Sequence, residues 1–181
     1  MCLTCMAQKA FKPVTTALKA KNYKEALQQI GMLRKDSLYR ENTKLCVYAI
    51  EAQRGLNDAE NMKLYLKQNY DTLSFFSTTY EIVREAIRLD SIEKKMFEER
   101  QQKPKHTKFI IDQLHRYYPN LQAAVRFFYK KNNAGETTKY ARAYLDIPST
   151  QIGKSAALSP QNIESNAAIY LVSSFEKKDY A

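Results

Sequence analysis

The chain has 181 residues, of which 44% are hydrophobic and 12% aromatic, with 4 glycines, 5 prolines and no tryptophan. This length can bury a sizeable core, as one domain or as a short stack of repeats. The formal net charge is +10, and the excess is spread evenly as +4, +3 and +3 over residues 1–60, 61–120 and 121–181. An even excess argues against a concentrated nucleic-acid-binding arm. No stretch reaches the ~20 consecutive apolar residues of a membrane span.

The first eight residues are uncharged and largely apolar, and the apolar run ends in the small residue Ala7, before Gln8 and Lys9. This pattern is typical of the end of a secretory signal peptide. We therefore predict that residues 1–8 are a signal-peptide remnant and that the mature protein works outside the cytoplasm, in a periplasm. The alternatives are a disordered N-terminus and a cytoplasmic protein. Cys2 and Cys5 spell C-x-x-C, but no strand precedes them to support a redox motif.

The first two helices are predicted on either side of Asn22. An amphipathic run over residues 11–19 predicts the first helix, and an apolar stripe over residues 23–33 predicts the second. The few breakers, together with abundant Ala, Leu, Lys, Gln and Glu, favour helix in the rest of the chain as well.

A second turn is predicted around Asn57. A start signal at Asp36 opens a helix that we expect to stop at Gly55, and Asp58 then opens another. The interval from Asn22 to Asn57 is 35 residues, close to the ~34-residue period of a tetratricopeptide unit.

Residues 70–118 form a degenerate region with a long charged helix. Thr78 and Glu81 have the spacing of a capping box, which predicts a helix start at Thr78. Pro104 breaks the apolar pattern, and Pro119 is expected to end the helix that resumes after it.

The last part of the chain is predicted to contain two more turns, around Asn133 and Lys178. Between them, one helix stops before Pro148. Ser159 is expected to cap the last helix, with Pro160 at its first position. The predicted core stripe of that helix consists of Ile163, Ala167, Tyr170, Leu171 and Ser174.

The segments over residues 19–27, 48–66, 127–145 and 170–181 resemble tetratricopeptide repeats. The resemblance rests on small residues where helices cross, on a turn around Gly or Asn, and on an aromatic residue that opens the second helix. It implies an all-α fold in which antiparallel helix pairs stack into a short right-handed superhelix. Residues 9–181 would then be one helical-repeat domain whose last repeat is truncated at residue 181. With the signal-peptide remnant, the chain also resembles exported helical-repeat proteins of Bacteroidetes-type bacteria. The residues that carry the repeat resemblance are Ala20, Tyr23, Ala26, Gly55, Ala59, Gly135, Tyr140, Tyr180 and Ala181.

Residues that could bind a partner fall into two groups. The densest basic stretch without an acidic residue runs from residue 100 to 108 and favours an anionic or acidic ligand, although such runs are commonly solvated linkers. Tyr118 and Tyr129 are expected to line the concave side of the repeat stack, where repeat proteins bind extended partners. The basic candidates are Arg100, Lys103, Lys105 and Lys108.

No motif in the sequence names a reaction. Gly153-Lys154-Ser155 matches the end of a phosphate-binding loop, but Pro148 stands where the leading Gly is required. Cys46 lies in an apolar helical stripe, where cysteine packs as a small hydrophobic residue. We therefore predict a non-catalytic scaffold that binds a protein or peptide, with no cofactor and no metal. The alternatives are an anion- or nucleic-acid-binding basic helical protein and a hydrolase with its site in residues 70–118.

Overall fold

The computed structural model describes the backbone of residues 3–177 and the side chains of residues 9–176. Over this range the chain is all-helical and contains no strand, which confirms the predicted fold class. Within these residues no helix is both long and apolar enough to cross a membrane. The helices are α1 (Leu3–Lys19), α2 (Tyr23–Leu33), α3 (Ser37–Arg40), α4 (Thr43–Tyr65), α5 (Thr72–Arg100), α6 (Thr107–Lys130), α7 (Ala134–Asp146), a 3-10 turn (Ile147–Ser149), α8 (Gln151–Ser155) and α9 (Ile163–Lys177).

The chain divides into two compact units, residues 1–106 and residues 107–181. The first unit packs α1, α2, α4 and α5 against one another, and the second packs α6, α7 and α9. Helices that are close in the sequence therefore pack together in each unit. The single helical-repeat domain over residues 9–181 stays a prediction.

The first unit is organised around the turn between α1 and α2. Lys21 takes the left-handed conformation with φ 57°, and the backbone N–H of Asn22 donates to the carbonyl of Ala17. The predicted turn at Asn22 is thus confirmed. One core cluster forms where α1 and α2 meet α4. Its buried residues are Phe11, Val14, Ala17, Leu18, Ala26, Ile30, Leu45, Ala49 and Ala52.

The predicted turn at Asn57 is wrong, because α4 runs unbroken from Thr43 to Tyr65. Asn57 is 3% exposed, and its Nδ2 lies 2.9 Å from the carbonyl oxygen of Phe75 and 2.9 and 3.0 Å from the hydroxyls of Thr78 and Thr79. The polar side chain therefore joins α4 to α5 instead of ending a helix. Gly55 is also inside α4, where a side chain would collide with the ring of Tyr23.

The predicted helix start at Thr78 is also wrong. Asp71 caps α5, since its carboxylate accepts a hydrogen bond from the backbone N–H of Ser74 at 3.0 Å. Thr78 lies within the helix and is 6% exposed, and its hydroxyl donates to the carbonyl of Ser74 at 2.8 Å. The threonine that looked like a cap is part of the buried bridge to Asn57.

In the second unit, α6 continues through Pro119, so the prediction that this proline ends the helix is wrong. A proline inside a helix costs about 3 kcal/mol. The residues on either side of it, Tyr117 and Leu121, are 2% and 0% exposed, and burial of such side chains contributes about 1.5–3 kcal/mol each. Packing therefore offsets the local penalty.

The α6–α7 turn at Asn133 is confirmed, and it places two aromatic pairs in the core. The side chain of Asn133 accepts from the backbone N–H of Glu136 at 3.1 Å and so caps α7. The rings of Phe128 and Tyr140 stack with centroids 5.2 Å apart. Tyr118 and Tyr144 stack at 4.9 Å.

The segment between α7 and α9 is compact. Ile147 and Gly153 are in close contact, since a Cβ atom at Gly153 would overlap the carbonyl group of Ile147. Ser159 and Pro160 do not begin the last helix, which starts at Ile163, so that prediction is wrong. Asn166 connects helix and loop, because its Nδ2 donates to the carbonyl of Asn162 at 2.8 Å.

Helix α9 does not bury the apolar stripe that the sequence predicted. Ile163 and Leu171 are 53% and 59% exposed, whereas Asn166 and Ser173 are 1% and 0% exposed. Of the predicted stripe, Ser174 is buried and Ala167 and Tyr170 are half-buried. The partner helix explains this orientation, because α7 buries Thr137, Thr138 and Ala141 and packs extensively against α9. Small and polar side chains on both helices allow a close approach.

Candidate functional site

Two of the four predicted basic residues line a cavity in the first unit. Lys103 and Lys105 lie on the loop that follows α5, and Arg100 ends that helix with an exposed side chain. Lys108 lies in α6, in the second unit. The cavity, which we call the basic cavity, has a volume of about 210 Å³. It is lined by Thr43, Lys44, Glu93, Met96, Gln102, Lys103, Lys105 and His106.

Glu93 holds the loop that forms one wall of the basic cavity. Its carboxylate is nearly buried and accepts three hydrogen bonds: from the backbone N–H of Lys105 at 3.0 Å, from that of His106 at 3.1 Å and from His106 Nδ1 at 2.7 Å. Both carboxylate oxygens therefore have hydrogen-bond donors, which offsets the cost of burying the charge. The loop is thereby folded back onto α5, with Lys103 and Lys105 on its surface.

The hydrogen bond from His106 Nδ1 to Glu93 determines which ring nitrogen of His106 carries a proton. A carboxylate can only accept, so Nδ1 must carry a proton in this contact. The other ring nitrogen, Nε2, is then the atom through which the side chain can act on a ligand, as an acceptor when the ring is neutral and as a donor when it is protonated. The side chain is 30% exposed, which gives a ligand access to it.

Another part of the basic cavity's lining comes from the first turn of α4, which carries Thr43 and Lys44. Asn42 caps this turn by accepting a hydrogen bond from the backbone N–H of Lys44 at 3.0 Å. The sequence indicated the loop lysines from their density, but it gave no reason to join them to Lys44 or to Glu93, which lie in other helices.

The structure separates the two predicted tyrosines. Tyr118 is 3% exposed, and its hydroxyl donates to the carbonyl oxygen of Tyr144 at 2.7 Å. Burial raises the pKa of the Tyr118 phenol. Tyr118 is therefore a core residue, and the prediction that it lines a binding surface is wrong. Tyr129 is 43% exposed and borders a polar depression of about 260 Å³ at the α6–α7 turn, so its role stays a prediction.

An apolar surface that the sequence did not predict lies on α9. Ala168, Leu171 and Val172 are exposed, the last two by 59% and 47%. Phe175, 69% exposed, follows at the next position of the same face. The spacing i, i+3, i+4, i+7 places all four on one side of the helix. We call this surface the α9 apolar face.

A second group of exposed apolar side chains belongs to the first unit and surrounds the α4–α5 turn. Exposure of these residues ranges from 44% at Leu64 to 83% at Tyr65. Clustered exposure of this kind is typical of interaction surfaces. The group consists of Met62, Leu64, Tyr65, Leu66 and Leu73.

Three further ionisable side chains among the described residues of the first unit, those of Arg34, Cys46 and Glu85, have structural roles. Arg34 forms a two-bond ion pair with Glu85, at 2.7 and 2.6 Å, and the carboxylate side chain is 5% exposed. Cys46 is 1% exposed, and burial, with the nearby Glu85 charge, raises the pKa of its thiol to about 11. A thiol in this environment is a poor nucleophile.

The described side chains do not form a metal centre, since no three His, Cys, Asp or Glu residues among them are grouped for ligation. Gly153, Lys154 and Ser155 lie in the five-residue helix α8, which is not the glycine-rich loop that a phosphate-binding motif requires.

Comparison with protein-family models, curated proteins and solved structures gives no match to this chain. The chain can therefore be classified only by its fold, which is all-α, with consecutive helices packed together in two units.

Proposed function

We propose that the protein is a non-catalytic scaffold that binds a protein or peptide partner. The α9 apolar face is the observation that carries this proposal. Its large side chains point outward while Asn166, Ser173 and Ser174 point inward. Exposing Leu171 and Val172 loses about 25 cal/mol for each Å² of apolar surface left in water, and a partner that covers them recovers this free energy.

We further propose that the helix pairs are divergent tetratricopeptide-like units. The α1–α2 pair supports this, because Tyr23 opens the second helix and lies against Gly55 of α4, while Ala26 is fully buried. The α6–α7 pair supports it through the turn at Asn133. Because α4 is continuous through Asn57, the 35-residue interval from Asn22 to Asn57 does not separate two turns. The proposal therefore rests on the packing of these two helix pairs.

Export from the cytoplasm is also a proposal. It depends on residues 1–8, whose side chains lie outside the described structure. Residues 178–181, where the last turn and the end of the last repeat were predicted, also lie outside it. Sequencing the N-terminus of the mature protein in its host tests the export proposal. We expect a start near Gln8 or Lys9, and retention of Met1 in a cytosolic protein would contradict export.

The binding proposal is tested by placing a photo-activated cross-linking residue at Leu171. The control carries the same residue at Gln28, an exposed polar site of α2 in the first unit. In host extract we expect one saturable cross-linked protein from position 171 and none from position 28. The substitution Val172→Glu should abolish the cross-link and leave the far-ultraviolet circular dichroism unchanged.

Equal cross-linking from both positions, or none from either, would contradict the scaffold proposal. The nucleic-acid alternative gives a different result, since retention would then depend on added DNA or RNA and fall steeply as salt is raised. Partner binding that survives moderate salt and nuclease treatment favours the scaffold.

A further inference from the structure

We propose that the basic cavity of the first unit binds a phosphate monoester group, held by Lys44, Lys103, Lys105 and Nε2 of His106. This site is separate from the α9 apolar face, and it assigns a ligand class that the scaffold proposal does not supply.

The charges around the cavity favour an anion. The ammonium groups of Lys44, Lys103 and Lys105 belong to no ion pair among the described residues, whereas the neighbouring Lys95 of α5 is paired with Glu41 at 2.8 Å. Three unneutralised lysines around one concave surface repel one another, and a bound anion removes that repulsion.

Glu93 cancels only part of this charge, because its single carboxylate is set against three lysines and is hydrogen-bonded to the loop and to His106. Two backbone N–H groups and His106 Nδ1 occupy both of its oxygens. The Glu93–His106 hydrogen bond also orients the imidazole ring. Because Nδ1–H is bonded to the carboxylate, a protonated His106 has Nε2–H left to donate to a ligand. A charged donor of this kind forms a short, strong hydrogen bond with an anionic oxygen.

The number of donors and the size of the space select a phosphate over a carboxylate. A phosphate monoester carries about −1.5 to −2 charge at pH 7 and three strong acceptor oxygens, which matches three lysine charges set against the one charge of Glu93. A carboxylate has one charge and two oxygens, and it would leave part of the donor set unused. The volume of about 210 Å³ exceeds the ~30 Å³ share of a single water several-fold, which leaves room for a tetrahedral group.

A phosphorylated partner segment and a small free phosphate share this chemistry, and the experiment distinguishes them. Binding to the full chain is measured by calorimetry at fixed ionic strength, with three probes: a phosphoserine peptide, the same peptide with glutamate at that position, and inorganic phosphate. The test variant is Lys103→Gln/Lys105→Gln. The matched control is Lys24→Gln/Lys35→Gln, which changes the net charge equally at exposed sites of the same unit outside the cavity.

We expect phosphate-bearing probes to bind, the cavity variant to lose affinity by at least about tenfold and the control by less than about twofold. Tighter binding of the phosphopeptide than of inorganic phosphate assigns the ligand to a partner segment, and equal binding assigns it to a small phosphate. Equal binding of the glutamate peptide, equal losses in both variants or no binding of any probe would overturn the proposal. The variant Val172→Glu should bind phosphate normally, so failure of this site and failure of the scaffold proposal give separate results.

Discussion

Gly55 and Gly31 offer one substitution with two opposite outcomes. Both glycines lie inside helices, Gly31 in α2 and Gly55 in α4. Replacing Gly by Ala within a helix gains about 0.5–1 kcal/mol from backbone entropy. At Gly31 an added Cβ meets nothing within 4 Å, so Gly31→Ala should increase the free energy of unfolding by up to that amount.

At Gly55 the same Cβ would fall within the ring of Tyr23, closer than real atoms approach. Inserting a methyl group into an occupied space costs about 1–3 kcal/mol. The ring must also leave the core cluster against which it packs. After subtraction of the helix gain, Gly55→Ala should decrease the free energy of unfolding by up to about 2.5 kcal/mol.

The assay is urea unfolding followed by circular dichroism at 222 nm, with the wild type and both variants measured side by side. Removing the ring in Tyr23→Ala should abolish the penalty, so that adding Gly55→Ala to that variant becomes neutral or stabilising. If Gly55→Ala stabilises the wild-type chain as much as Gly31→Ala does, the close contact between Tyr23 and α4 does not exist.

Three further predictions concern buried and half-buried ionisable groups. Arg34→Met leaves the Glu85 carboxylate buried without its partner and should lower the free energy of unfolding by about 3–5 kcal/mol; urea titrations should show most of this loss recovered in Arg34→Met/Glu85→Leu, and equal stabilities of the single and double variants would contradict the pairing. Because burial raises the pKa of Cys46 to about 11, only about a thousandth of this thiol is thiolate at pH 8. In a variant without Cys2 and Cys5, iodoacetamide should therefore modify Cys46 far more slowly in the native state than in urea. Equal rates in the two states would show that the thiol is accessible. Burial, more than the charge of neighbouring Glu93, raises the pKa of Asp90, so its contribution to stability is greatest below the pKa of the unfolded chain and is lost as pH rises through the folded pKa; Asp90→Asn should raise the free energy of unfolding at pH 7 and flatten its slope between pH 4 and 7, and an unchanged slope would contradict this assignment.

The all-α fold could be predicted from apolar spacing and the scarcity of breakers, but helix ends could not. Gly55, Thr78 and Pro119 each carry a local signal for a helix boundary, and each lies inside a helix. Such signals contribute about 1 kcal/mol for glycine or a cap and about 3 for proline. The burial of a whole helix face contributes more than any one of them, and it depends on partners distant in the sequence.

Only the part of the candidate site whose residues are neighbours in the sequence could be predicted. Lys103 and Lys105 stand together in the sequence, so their positive charge could be recognised. Lys44 joins them only through packing of α4 on α5, and Glu93 joins them only because the loop folds back to it. The prediction that Tyr118 lines a binding surface was wrong for a related reason, since an abundance of tyrosine in the sequence does not distinguish a stacked, buried ring from an exposed one.

The close contact at Gly153 sets a limit on how this chain can diverge. Any side chain there would overlap the carbonyl group of Ile147, and a main-chain atom cannot swing aside as the ring of Tyr23 can. Gly31 is under no such restriction, because the space around it is open. Among sequences that descend from a common ancestor with this chain, we expect glycine to persist at position 153 while position 31 drifts freely. An Ile-Pro pair followed by a glycine at the spacing of Ile147, Pro148 and Gly153 would then mark distant relatives, even where their surface residues no longer resemble those of this chain.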